Sequence, residues 1–228
     1  FNRIFVIIET KKGDKMQKIF LISFVLISFS SLFSTASKTF NIDQNQLNSI
    51  EKKYGYQAKQ RVESWDSMIE SSKDETILNK IKNVNDFFNE ITYKTDQNHW
   101  NAKDYWATPL EFMGSGAGDC EDYAIAKYFS LIKLGVPDEK LRITYVSYQK
   151  ANSKFEEAHM VLTYYHKVGV EPVVLDNINK TLQIASKRPD LKPVYSFNAS
   201  GLWQAKTKGE ARVGNNELKS WKDLMSRF

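Results

Sequence analysis

Apolar residues recur at three- and four-residue steps between Asn45 and Ile91: Leu47, Ile50 and Tyr54, then Val62, Trp65 and Ile69, then Ile77, Ile81, Val84, Phe87, Phe88 and Ile91. Such spacing lines one side of α-helices, so the segment predicts a helical cap. From Thr92 to Gly118 the period is lost, and aromatic, Pro and Gly residues predict an ordered loop. A second helical pattern is expected from Asp119 through Tyr123, Ala124, Ile125, Tyr128, Leu131 and Ile132, stopped by Gly135 and Pro137. Beyond it, β-branched and aromatic runs predict strands over 141–148, 158–165 and 170–175, with a turn at Lys167-Val168-Gly169. Residues 194–197 and 202–205 read as a hairpin around Asn198-Ala199-Ser200-Gly201. A closing helix is expected with Asn216 as its cap and Leu218, Trp221, Leu224 and Met225 on one side. Helices first and strands later predict an α+β domain with a largely antiparallel sheet.

The apolar run from Ile19 to Phe33 differs from these patterns. It follows Met16-Gln17-Lys18 and ends in Ser34-Thr35-Ala36-Ser37, the grammar of a secretory signal with small residues before a cleavage point. Residues 1–15 then read as an upstream extension, 16–36 as the signal peptide and 37–228 as the exported domain. The run falls short of the roughly 20 residues that span a bilayer, so stable membrane insertion is not expected after cleavage. Removing the leader takes five basic and two acidic residues from a chain of formal charge +5, which leaves the exported part nearly balanced. Without a concentrated basic face, nucleic-acid binding is not expected. A hydrophobic content of 42% supplies enough apolar mass for a core and excludes a mostly disordered chain. A single cysteine excludes a disulfide framework and multi-cysteine metal sites.

That cysteine lies in the chemically richest stretch, Gly114-Ser115-Gly116-Ala117-Gly118-Asp119-Cys120-Glu121-Asp122-Tyr123. A glycine-rich turn delivers Cys120 to a helix start, where unpaired N–H groups and the helix dipole favour a thiolate. The Cys120 N–H is also a candidate oxyanion donor. Three flanking carboxylates oppose this, because like charge disfavours the thiolate. Two readings account for them. A calcium ion would neutralise Asp119 and Glu121, with Asp122 beside them, and would take Asn101 and Asp104 as further oxygen ligands. Alternatively, Asp119 is an N-cap and the others are ordinary first-turn acids.

A thiol nucleophile needs a base, and the chain offers His99, His159 and His166. His159 opens one predicted strand, and Asp176 ends the next. A symmetric hairpin would make them direct cross-strand neighbours, and one residue of slip would put them on opposite faces. His166 has the opposite strand parity and lies at the turn, and His99 reads as a structural loop histidine.

Four ordered motifs resemble the bacterial transglutaminase-like cysteine proteinases of the LapG type: Tyr105-Trp106-Ala107-Thr108-Pro109, 116–124 around Cys120, His159-Met160-Val161-Leu162 and Leu175-Asp176-Asn177. The resemblance runs from the Trp65 helix to the Trp203 region. It implies a papain-like core, with Cys120 as nucleophile, His159 as base and Asp176 as orienter. It further implies Ca²⁺ dependence carried by Asp119 and Glu121, with Asp104 and Asn101 as weaker carry-overs. The implied substrate is a large surface adhesin, cut near its N-terminus in the periplasm with release of biofilm. The implied partner is the periplasmic domain of an inner-membrane cyclic-di-GMP receptor. Amine transfer by a transglutaminase-type reaction, or a non-catalytic periplasmic peptide-binding module, are the competing expectations.

Overall fold

The computed structural model describes residues 42–167, 169–205 and 210–228. The expected upstream extension and signal peptide, and Val168 of the expected turn, lie outside the described residues.

The helical cap divides into α1 (Gln44–Tyr54), α2 (Tyr56–Ser72) and α3 (Ile77–Phe88). Asp43 and Gln46 cap one another at the start of α1, and Thr76 caps α3. Gly55, at φ 89°, ends one helix and begins the next. The segment expected as a loop is more ordered than its pattern suggests. It contains β1 (Thr92–Tyr93), α4 (Asp96–His99), α5 (Pro109–Ser115) and β2 (Ala117–Gly118), with β1 and β2 paired in parallel. Thr108-Pro109-Leu110-Glu111 is a capping box with proline in the first helical position. The helix it opens is too short to show a period in sequence.

The next helix, α6 (Cys120–Lys133), is buried from Asp122 to Leu131. It packs against β3 (Leu141–Gln149) and β4 (Glu156–Tyr164) on one side and against α3 and α5 on the other. The Trp65 indole N–H donates to Ser130 Oγ at 2.9 Å and ties α2 to α6 inside the core. The sheet is completed by β5 (Val173–Leu175), β6 (Gln183–Ile184), β7 (Leu191–Phe197), β8 (Leu202–Ala205) and β9 (Glu210–Gly214). Its order is β6-β5-β4-β3-β7-β8-β9, and every neighbouring pair is antiparallel. Strands β6 and β9 were not expected. The closing helix α7 (Lys219–Met225) has Leu218 as its cap residue. Asn216 sits two residues earlier and accepts the Leu218 N–H at 3.2 Å, so it is not the helix cap expected from sequence.

Register corrects one expectation. Leu162 faces Leu175 and Thr163 faces Val174, so continuing the ladder sets Asp176 beside Val161 and not directly opposite His159. Pro172 cannot donate to a ladder, and pairing begins only after it, which centres the hairpin one residue later than expected. The displacement from the expected partner is two residues. His159 and Asp176 therefore keep the same face as diagonal neighbours. That face carries Val146, Val161 and Val174, whereas Met160, Leu162 and Leu175 point into the main core with α6.

Two glycines set the entry to α6. Gly116, at φ 72°, ends α5 in the left-handed region. Gly118 lies so close to its surroundings that a Cβ there would sit 2.3 Å from Asp122 Oδ2 and 2.8 Å from a Phe112 ring carbon. Gly118→Ala is expected to cost about 1–3 kcal/mol by overpacking, read as a lower urea midpoint. An unchanged midpoint would show that the approach is looser than described.

Candidate active site

The turn of glycines and the start of α6 bring Cys120 to one wall of a cleft of about 420 Å³, which His159 also lines, together with Tyr93, Tyr148, Lys150, Glu157, Ala158, Asn177 and Ile178. The Cys120 sulfur hydrogen-bonds to the main-chain N–H of Met160, the residue after His159. The half-buried thiol therefore meets β4 at its edge.

His159 is 4% exposed, and its Nε2 lies 2.8 Å from Asp176 Oδ1. A carboxylate can only accept here, so Nε2 carries the hydrogen, and in the neutral imidazole Nδ1 keeps its lone pair. Asp176 is almost wholly buried, and its remaining acceptors are filled. Oδ1 also takes the Ile178 N–H at 3.0 Å, Oδ2 takes Arg188 Nη2 at 2.7 Å, and its main-chain oxygen takes Lys127 Nζ at 3.2 Å. Burial opposes ionisation of Asp176, but His159, the Ile178 N–H and Arg188 together hold its carboxyl well below the usual range. Arg188, 3% exposed, also grips Asp190, and Lys127 is anchored by Asn85 and Asn89. Burial pushes Lys127 down to about 7, against the pull of Asp176. Neither Arg188 nor Lys127 was identified from sequence. Lys127 occupies a position that reads only as mid-helix, although a charged residue inside an otherwise apolar stretch was a usable signal.

Carboxylates crowd the other side of Cys120. Asp96, Asp104 and Glu121 offer oxygen atoms within 4.8 Å of one another, and Asp96 forms a second such group with Asp119 and Asp122. Asp122 has both oxygens committed, to the Ala107 N–H at 2.8 Å and the Asp119 N–H at 3.2 Å, and so serves the helix start. Asp119 Oδ1 and Asp96 Oδ1 are buried with no hydrogen-bond partner. Burial and the neighbouring acids raise Asp96 to about 6, while burial, then Glu121, raises Asp119 to about 10. The Cys120 thiol is likewise pushed up by burial, by Glu121 at 3.0 Å and by Asp119, with only the Met160 N–H opposing. Buried, unpartnered oxygens among like charges suit a hard cation with oxygen ligands. Asp96 was missed in the sequence because it stands 23 residues before Asp119 in an unpatterned segment; the parallel pairing of β1 with β2 brings the two together.

The other expected site residues fall as follows. Asp104 joins the acidic group and accepts the Trp106 indole N–H at 2.9 Å. Asn101 is exposed at φ 52°, and its side-chain oxygen accepts from Gln97 Nε2 at 3.0 Å. His99 packs edge-on against Trp100. His166 lies beyond β4 near the Tyr164 hydroxyl.

Residues 52–197 match the family described as bacterial transglutaminase-like cysteine proteinase. The chain belongs to this family. It is 41% identical to EGTA-treated LapG of Legionella pneumophila, over 82% of this chain and 97% of that one, with a TM-score of 0.70. The calcium-bound form of the same protein gives 42% identity, 82% and 99% coverage and a TM-score of 0.69. No curated protein sequence matches the chain. The fold of this cysteine proteinase is thus LapG-like, with helices packed on a mostly antiparallel sheet. Among its described residues, no helix is long and apolar enough to cross a membrane.

Removing the Arg188 guanidinium would leave Asp176 buried and undercompensated. Arg188→Met is expected to cost about 3 kcal/mol. Because the Asp176 carboxyl is held low, its contribution to stability is present above the unfolded aspartate value of about 3.9 and is lost as pH falls below it. Urea midpoints between pH 5 and pH 2 should accordingly fall less steeply in the variant. Equal slopes would show that Arg188 does not hold the charge.

Proposed function

We propose that this proteinase is an exported, calcium-dependent cysteine endopeptidase that cuts a large cell-surface adhesin near its N-terminus and so controls biofilm release. The observation that carries the reading is the oriented His159–Asp176 pair in the cleft that holds the lone thiol at a helix start. Cys120 is the nucleophile. Its proton passes to His159 Nδ1 as the sulfur bonds to the scissile carbonyl carbon, and His159 returns that proton to the leaving amine as the C–N bond breaks. Water, deprotonated by the same imidazole, then attacks the thioester, and the sulfur leaves as the acid product forms. Asp176 keeps the Nε2–H tautomer and stabilises the imidazolium. The Cys120 N–H, unpaired at the helix start, is the candidate donor to the oxyanion.

Asp96, Asp104, Asp119 and Glu121 would hold the calcium ion. When bound, it supplies positive charge that balances the carboxylates beside the thiol. Two findings support this: the unpartnered Asp96 and Asp119 oxygens, and the existence of a calcium-bound form of the similar LapG. The leader-like residues 16–36 support a periplasmic site of action, and the LapG likeness supports regulation by the periplasmic domain of a cyclic-di-GMP receptor.

Incubating the protein with adhesin fragments should produce new N-termini that Cys120→Ala does not produce, while circular dichroism shows the variant folded. Cleavage retained in that variant would reject the assignment, and a labelled amine incorporated without chain scission would replace hydrolysis by transfer. EGTA should lower the melting midpoint and calcium should restore it, with about 2.7 kcal/mol of stabilisation at a free calcium one hundred times its Kd. Asp96→Asn should weaken that response; an EGTA-insensitive wild type would remove calcium from the reading.

A further inference from the structure

We propose that the cleft takes its peptide as an added strand along the open edge of β4, anchored by the main-chain N–H and C=O of Ala158. The proposal rests on the peptidase reading and specifies how that site grips its substrate.

Strand β4 is paired with β3 over its full length, from Glu156 to Tyr164, but with β5 only at Leu162, Thr163 and Tyr164. Its first half therefore has an edge with no strand beside it. The early end of β5 has a cause: the Asp176 carboxylate accepts the Ile178 N–H, an Asx-turn that bends the chain away from the ladder. Main-chain groups of successive strand residues point to opposite edges. The N–H of Tyr165, just past β4, donates to Lys140 O on the β3 side, so odd-numbered positions face β3 and even-numbered ones face outward. Met160 fits that parity, since its N–H meets the Cys120 sulfur. The next outward pair belongs to Ala158, an exposed residue on the cleft lining. The edge thus runs directly from the nucleophile to an unclaimed donor and acceptor.

The cleft lining carries a second, independent feature. Tyr93 and Ile178 are 53% and 48% exposed, and both line the cleft, Tyr93 from β1 and Ile178 from the turn after β5. Large apolar side chains beside a free strand edge suit an extended peptide, whose main chain takes the edge while alternate side chains cover the apolar surfaces.

The test uses Cys120→Ala protein in calcium-containing buffer to select binders from a random-sequence peptide pool. One selected peptide is resynthesised with a single backbone N-methyl group at each position in turn. Loss of one or two main-chain hydrogen bonds should weaken binding about tenfold. The losses should alternate, with sensitive positions two residues apart, and Ile178→Asp should weaken the unmethylated peptide. Uniform tolerance of N-methylation, or a pool that yields no binder, would overturn the proposal. Cleavage of the same peptide by wild-type protein is scored separately. Alternating binding without cleavage would retain the strand-addition site and reject the peptidase reading on which it was built.

Discussion

One buried carboxylate holds the site together. Asp176 fixes the His159 tautomer, ends β5 by accepting the Ile178 N–H, neutralises Arg188 and, through its main-chain oxygen, receives Lys127 from the helix that Cys120 begins. Each contact alone is an ordinary hydrogen bond. Together they connect α6, β4, β5 and the segment before β7, so the imidazole cannot shift without disturbing the packing of the sheet. A charge this deep is tolerated only because every acceptor is occupied and a guanidinium lies against it.

The Cys120 thiol sits under a different constraint. Its helix start favours negative charge, yet the same first turn gathers Asp119, Glu121 and, from β1's neighbourhood, Asp96. Burial and the repulsion of neighbouring acids act in the same direction there, raising Asp96, Asp119 and the thiol together. The acidic cluster and the thiol are therefore one electrostatic unit. A metal there would alter the thiol without needing to touch substrate.

Sheet geometry explains how groups on opposite faces come to line one cleft. His159 and Asp176 share the face of Val146 and Val161, while α6 covers the face of Met160 and Leu162. Cys120 and His159 nonetheless line one cleft, beside the edge of β4 that β5 leaves uncovered. The Asx-turn that truncates β5 thus leaves that edge of β4 open beside the cleft.

Local chemistry made much of this legible from residue order. The three-to-four spacing gave the cap helices, Gly116 and Gly118 marked a tight entry to α6, and β-branched and aromatic runs located β3, β4 and β5. Cys120, being the lone thiol, identified itself, and the parity of His159 and Asp176 survived a hairpin whose register was misjudged by two residues. What the order of residues could not supply were relations set by distant pairing: the convergence of Asp96 with Asp119 through β1 and β2, the grip of Arg188 and Lys127 on Asp176, and the bare edge of β4. Periodicity reports which face a residue takes within its own element, because that depends on local backbone geometry. Which elements then come together depends on packing and ladder register across tens of residues, and only the tertiary structure decides it.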